Sequence, residues 1–256
     1  MATERLYQKD VYLRDFPAVV TDVYQDNGSI SVVLDRTCFF PEGGGQYCDT
    51  GVIGEAVVTD VFEKDGIIYH KIAPGDSLEK GKTYNCSINW DRRFDNMQRH
   101  CGEHILTGIF YREYGGVNRG FHMGTDYITI DISLEEDPTY DKITWEMAER
   151  AELLANEVIW QDVPVLIHHY DTFDEAKDLP MRKALAIDED ITIVSIGSRE
   201  SVWGSVACCG THPATTGQVG LIKVFKVEPN KGMWRIYFEA GKRALLDCDR
   251  KQNVLN

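Results

Sequence analysis

Trp90-Asp91-Arg92-Arg93-Phe94-Asp95-Asn96-Met97-Gln98-Arg99-His100-Cys101-Gly102-Glu103-His104 is where the pattern of this chain turns over. From here Phe94, Met97, Cys101, Ile105, Ile109 and Phe110 recur at helical spacing, and Asp91 is placed to cap the first turn. The helix also carries chemistry. His100 and His104 stand four residues apart, which on a helix sets both imidazoles on one face, one turn from each other.

Upstream of this point the chain reads as β-structure. Ala18-Val19-Val20-Thr21, Ile30-Ser31-Val32-Val33-Leu34, Ala56-Val57-Val58-Thr59 and Gly66-Ile67-Ile68-Tyr69 are short β-branched runs. Between them lie Asp26-Asn27-Gly28, Gly43-Gly44-Gly45 and Lys64-Asp65-Gly66, turn formers at a density that suggests a small barrel. Downstream, a second helix is expected from Thr144 to Trp160, with Met147, Ala151, Leu154, Ala155 and Val158 on one side. Strands are expected at 163–168, 191–196, 220–227 and 233–239. The reading is an α+β protein: an N-terminal β-barrel over residues 1–92, then an α/β domain over 93–256.

A second set of metal-type ligands lies about a hundred residues beyond the first, in Ala207-Cys208-Cys209-Gly210-Thr211-His212. Cys208 and His212 repeat the four-residue spacing, beside a glycine that allows a turn to pass close to a ligand. Three imidazoles and one thiolate suit zinc, a borderline-soft ion that is usually tetrahedral. Taken singly, a histidine pair at helical spacing is ordinary surface or core material, and a lone cysteine is a small buried hydrophobe. Two independent pairs favour the metal reading.

Composition limits the function. A chain of 256 residues, 43% hydrophobic and 27% charged, is ordinary for a soluble globular protein. No apolar run is long enough to span a bilayer, and charges interrupt the first sixteen residues, so neither a membrane nor a secretory route is expected. Seven cysteines, two of them adjacent, make a poor disulfide framework and point to a reducing cytoplasm. A net charge of −14 excludes non-specific coating of nucleic acid, and DNA is not expected as a partner. From Gln218 to Asn256, however, eight basic residues face four acidic ones, a local charge of +4 in a chain whose remainder carries −18. That stretch suits transient contact with one shaped nucleic acid, unless it is only a solvated face.

The loop Thr37-Cys38-Phe39-Phe40-Pro41-Glu42-Gly43-Gly44-Gly45-Gln46 completes the pattern. Three consecutive glycines permit positive φ and close approach of backbone amides, either to another backbone or to a ligand. With it, Met97 to His104, Phe121-His122-Met123-Gly124, Thr129-Ile130-Asp131, Cys208 to His212, Thr216 to Gly220, Arg235 to Phe238 and Gly241 to Leu245 fall in order. In these segments the chain resembles the editing domains of alanyl-tRNA synthetases, and in particular the freestanding AlaX editing proteins that carry an N-terminal barrel and a glycine-rich loop. Cys209 departs from the glycine often found there, and the stretch 197–206, with Arg199, Glu200 and Trp203, looks particular to this branch.

The resemblance implies an ATP-independent, zinc-dependent hydrolase acting in trans on alanine tRNA mischarged with serine or glycine. It implies zinc on His100, His104, Cys208 and His212, and a substrate pocket with Thr37 against the serine hydroxyl and Gln46 and His122 as weaker wall candidates. His122 reads rather more readily as a core histidine bonded to backbone, and Thr37 reads equally as a β-branched strand residue. Lys242 and Arg243 are the expected tRNA contacts. Two other readings fit the same residues: hydrolysis of another aminoacyl-tRNA ester, and a zinc-stabilised tRNA-binding module without catalysis. The sequence leaves open the oligomeric state and whether zinc activates water or only positions substrate.

Overall fold

The computed structural model describes residues 3–26, 28–135, 137, 139–172, 189–198 and 201–255. The chain divides into two compact units, Met1–Asn96 and Met97–Asn256, and the division falls inside one helix, α2 (Trp90–Tyr114).

In the first unit a parallel pair, β1 (Glu4–Arg5) with β4 (Arg36–Thr37), lies beside a six-stranded ring. A short helix, α1 (Leu6–Lys9), follows β1. The ring uses β2 (Asp15–Asp26), β3 (Ser29–Leu34), β5 (Gly51–Ile53), β6 (Ala56–Lys64), β7 (Ile67–Ile72) and β8 (Thr83–Ile88). Paired in the order β2-β3-β7-β6-β5-β8, they close on themselves, every neighbour antiparallel. Closure leaves no free edge in the ring. A register shift between Val20 and Asp22 lets the long β2 serve β8 with one half and β3 with the other. At Gly51 a Cβ would stand 2.1 Å from the Ser87 carbonyl oxygen, so only glycine lets β5 lie this close to β8. Alternation turns Ile68, His70 and Ile72 of β7 inward, into a core with Val20, Val32, Leu34, Phe39, Ile53 and Val61.

The glycine loop is held at its base. Asp49 accepts from the Phe40 amide and from a fork of bonds donated by Arg93, which also donates to the carbonyls of Val11 and Cys38. Both members of this ion pair are fully buried. At the tip, Gly43 and Gln46 exchange backbone hydrogen bonds across Gly44 (φ 59°) and Gly45 (φ 80°). Two successive positive φ values make a two-residue hairpin turn of the type that demands glycine. The glycines are thus explained by the turn itself.

The second unit contains β9 (Val117–Met123), β10 (Ile128–Ser133), α3 (Trp145–Trp160), β11 (Val165–Thr172), β12 (Glu189–Ser198) and β13 (Ser201–Ala207). A 3-10 turn (Thr216–Val219), β14 (Ile222–Asn230), β15 (Met233–Ala240) and α4 (Lys242–Leu255) follow. Two antiparallel sheets result, β14-β15-β10-β9 and β11-β12-β13. Ile105, Leu106, Ile109 and Phe110 of α2 pack with Ala148, Ala151, Ala155 and Val158 of α3 and with Ile128, Ile130, Ile236 and Phe238 of the larger sheet. Asn156 of α3 acts as a strand partner, accepting from the Ile222 amide and donating to its carbonyl. That satisfies part of the β14 edge with a side chain.

One expected cap is corrected. Asp91 is inside the helix, and it is Asn89 whose Oδ1 accepts from the Arg92 amide. An N-cap must lie three residues before the amide it satisfies, a distance that suits Asn89 here. Thr144 does cap α3, accepting from the Met147 amide at 3.3 Å. Arg199 and Glu200 lie outside the described residues.

Candidate metal centre

His100 and His104 leave the same face of α2, and the segment after β13 delivers Cys208 and His212 to them. One potential donor atom from each lies within 4.8 Å of the others. Cys208 Sγ is 3.4 Å from His100 Nε2 and 3.3 Å from His212 Nε2. Tetrahedral zinc with bonds of about 2.0–2.3 Å would set its donors roughly 3.3–3.8 Å apart. The three rings crowd together, with centroids 4.7–4.9 Å apart in every pair.

The backbone explains how these residues meet. Gly102 lies between the two histidines, and a Cβ there would come 2.6 Å from Ala240 Cβ, so its bareness lets α2 approach β15 closely. The Cys208 amide donates to Thr192 on β12, which fixes the end of β13. The Gly210 amide then donates to Cys208 Sγ, so the chain curls round the sulfur. Cys209 is exposed.

The electrostatics suit a cation. Burial, and secondarily the neighbouring His104, hold His100 down at about 3; burial also holds His212 well below its ordinary range. Both imidazoles are therefore neutral and offer lone pairs at pH 7. Burial pushes the Cys208 thiol upward, against the pull of the Gly210 amide. A divalent ion reverses that cost, since a coordinated thiol loses its proton outright. His104 Nε2 is buried without a hydrogen-bond partner. A largely buried, partly unsatisfied set of three imidazole nitrogens and one sulfur fits a transition metal.

Glu103 is a neighbour that ligand spacing did not reveal. It is buried, its Oε2 lies 2.6 Å from His104 Nδ1, and its Oε1 accepts from Asn118 at 2.8 Å. The contact lacks hydrogen-bond geometry and leaves His104 Nδ1 without a hydrogen-bond partner, so Glu103 sets negative charge beside the ring without fixing its tautomer. Phe121 is stacked on His100, centroids 5.2 Å apart. Its successor His122 therefore points to the opposite side of β9, where it is exposed. The structure does not bring His122 to the metal ligands, and it is not a core histidine.

Thr37 and Gln46 belong to the first unit, and both are fully buried. Thr37 Oγ1 is 2.8 Å from His70 Nε2 and accepts from the Phe39 amide at 3.1 Å. Lys242 is exposed at the start of α4, and Arg243 donates to the Thr125 carbonyl. Among the described residues, Lys223, Lys226, Arg235, Arg250 and Lys251 of the +4 stretch form ion pairs. Lys226, Arg250 and Lys251 pair with Glu228 and Asp247, which the +4 already counts, so only Glu152 and Asp131 lower it, to +2.

Residues 191–237, which include two of the four candidate donors, match the threonyl and alanyl tRNA synthetase second additional domain, and residues 8–92 match tRNA synthetases class II (A). The match over 191–237 is to an accessory domain of the synthetases. The alanyl-tRNA editing protein AlaX-M of Methanosarcina acetivorans is 35% identical over 92% of this chain and 98% of its own length. AlaX-L of Pyrococcus horikoshii is 40% identical over 94% of this chain, and the alanine–tRNA ligase of Thermococcus kodakarensis 34% identical over 95%. The chain belongs to the alanyl-tRNA editing protein family. It spans 59% of the length of the AlaX-L protein and 26% of the ligase.

Proposed function

We propose that this chain hydrolyses the ester of mischarged alanine tRNA in trans, releasing serine, and glycine where it is misattached. The observation that carries this reading is the convergence of His100, His104, Cys208 and His212 in a chain that matches an AlaX-M protein over 92% of its own length and 98% of that protein's. In the reaction, water adds to the ester carbonyl carbon, the bond to the ribose oxygen breaks, and that oxygen takes up a proton. Zinc is the metal that the donor set suits best, and when bound it supplies Lewis acidity, or a fixed anchor for the amino acid's amino or hydroxyl group.

The protein's own residues do the rest. His100 and His104 are carried on one face of the helix, and the Glu103 carboxylate sets negative charge beside His104. His100, His104, Cys208 and His212 would hold the metal, and four protein donors would suit it to anchoring substrate rather than carrying hydroxide. Thr37 reads the serine hydroxyl, and Gln46 forms part of the same pocket wall. Excluding a smaller side chain is poor selection, whereas pairing with an extra hydroxyl penalises alanine by leaving a buried polar group unmatched. Lys242 and Arg243 contact tRNA phosphates. Free cysteines suit work in the cytoplasm. No helix among the described residues is long and apolar enough to cross a membrane.

The test is deacylation of alanine tRNA charged separately with serine, glycine and alanine. Release of serine much faster than alanine is expected. Equal rates on serine and alanine, or none on any substrate, would overturn the proposal.

A further inference from the structure

β7 presents His70 to the barrel interior at a position where its strand neighbours on the same face are Ile68 and Ile72. A fully buried imidazole in an apolar row needs both nitrogens satisfied. Nδ1 lies 3.2 Å from the Val32 carbonyl oxygen, and Nε2 lies 2.8 Å from Thr37 Oγ1. A carbonyl only accepts, so Nδ1 carries the hydrogen. Burial holds the ring down at about 4, so at neutral pH it has a single N–H and Nε2 is a lone pair. The Thr37 O–H must therefore donate to His70. Phe39 already donates its amide hydrogen to the same oxygen at 3.1 Å, and the Phe39 ring meets the imidazole edge-on at 5.3 Å.

With its hydrogen and one lone pair taken, the Thr37 hydroxyl keeps one lone pair. We infer that His70 is a positioning residue: it turns the Thr37 hydroxyl into a pure acceptor, so that Thr37 selects aminoacyl side chains able to donate an O–H. This rests on Thr37 reading the substrate hydroxyl. It narrows the substrate class, because serine can donate to that lone pair, whereas alanine and an O-methylated serine cannot.

The experiment compares rates of serine and glycine release from alanine tRNA by wild type, Thr37→Val, His70→Asn and His70→Gln. Asparagine can keep a donor near the Nδ1 position for Val32 but has no acceptor at Nε2, while glutamine's longer amide can restore one. Thr37→Val and His70→Asn are each expected to lower the serine-to-glycine rate ratio by about tenfold, the effect of one unsatisfied buried polar partner. The double variant should be no worse than either, and His70→Gln should recover part of the ratio. An unchanged ratio in Thr37→Val removes the Thr37 reading and this inference with it. A reduced ratio in Thr37→Val beside an unchanged one in His70→Asn overturns the His70 role alone. Equal slowing on both substrates by His70→Asn means a structural role and also overturns it. Should His70→Asn fail to fold, nitrogen-15 spectra of the wild-type histidines decide. The Nδ1–H tautomer is expected to persist from pH 5 to 8, with the Nε2 signal shifted in Thr37→Val; an Nε2–H tautomer or a charged ring refutes the arrangement.

Discussion

Asp49→Asn keeps the shape of the side chain and removes its charge, which isolates what the buried pair with Arg93 contributes to the barrel unit. Arg93 is fully buried and directs its donors to both Asp49 oxygens and to the carbonyls of Val11 and Cys38. After the substitution two carbonyls remain, but nothing balances the guanidinium charge. Breaking such a pair by removing one partner costs about 3–5 kcal/mol. With a urea m-value of about 1–3 kcal/mol per molar for a domain this small, the unfolding midpoint should fall by more than about 1 M. Fluorescence of Trp90, stacked on Phe94 in the same unit, follows the transition. Glu79→Gln is the control, since its pairing with Lys82 is solvent-exposed and contributes little to stability. The double variant Asp49→Asn/Arg93→Met should recover part of the loss by removing the stranded charge. A midpoint shift no larger than that of Glu79→Gln would refute the reasoning.

Glu103→Gln should weaken metal binding by about 10- to 100-fold through loss of the negative charge beside His104, read by competition with a chelator; unchanged affinity would deny that charge any part in metal binding. Metal-free protein should lose stability as pH falls. His100, His70 and His212 have folded-state pKa values below the unfolded value of about 6.5, so the unfolded chain takes up protons first. Each contributes a slope of up to about 1.4 kcal/mol per pH unit between about 6.5 and its folded value, and urea midpoints that stay flat from pH 7 to 5 would contradict their burial as neutral rings. Replacing Lys242 and Arg243 with alanine should reduce the salt slope of tRNA binding by about two phosphate contacts, and an intact slope would mark the start of α4 as solvated surface.

The sequence was most legible where one physical period dominated. Alternating β-branched runs gave the strands around Val20, Val32 and Val58, and helical spacing from Phe94 to Phe110 gave α2. The ligand set was legible because two pairs with a workable spacing are improbable without a common purpose, and the structure brings all four together. Features set by three-dimensional neighbours were not. His70 reads as a polar interruption of β7 until Val32 and Thr37 are placed against it. Glu103 is indistinguishable from a surface carboxylate until Asn118 and His104 surround it. His122 was attractive for its chemistry, yet strand alternation after Phe121 turns it away from the ligands. Asp91 and Asn89 are both good caps, and only the hydrogen bond to Arg92 separates them. The local charge of +4 was counted correctly, but counting could not foresee that Glu152 and Asp131, distant in sequence, neutralise Lys223 and Arg235.

Serine release from serine-charged alanine tRNA, measured on metal-stripped protein while zinc is returned in sub-stoichiometric steps, tests the central claim most directly. The rate should climb from near zero and break at one zinc per chain, and Cys208→Ala should neither hold that equivalent nor regain the rate. Full activity in the stripped protein, or in Cys208→Ala, would contradict a reaction that depends on metal held by His100, His104, Cys208 and His212.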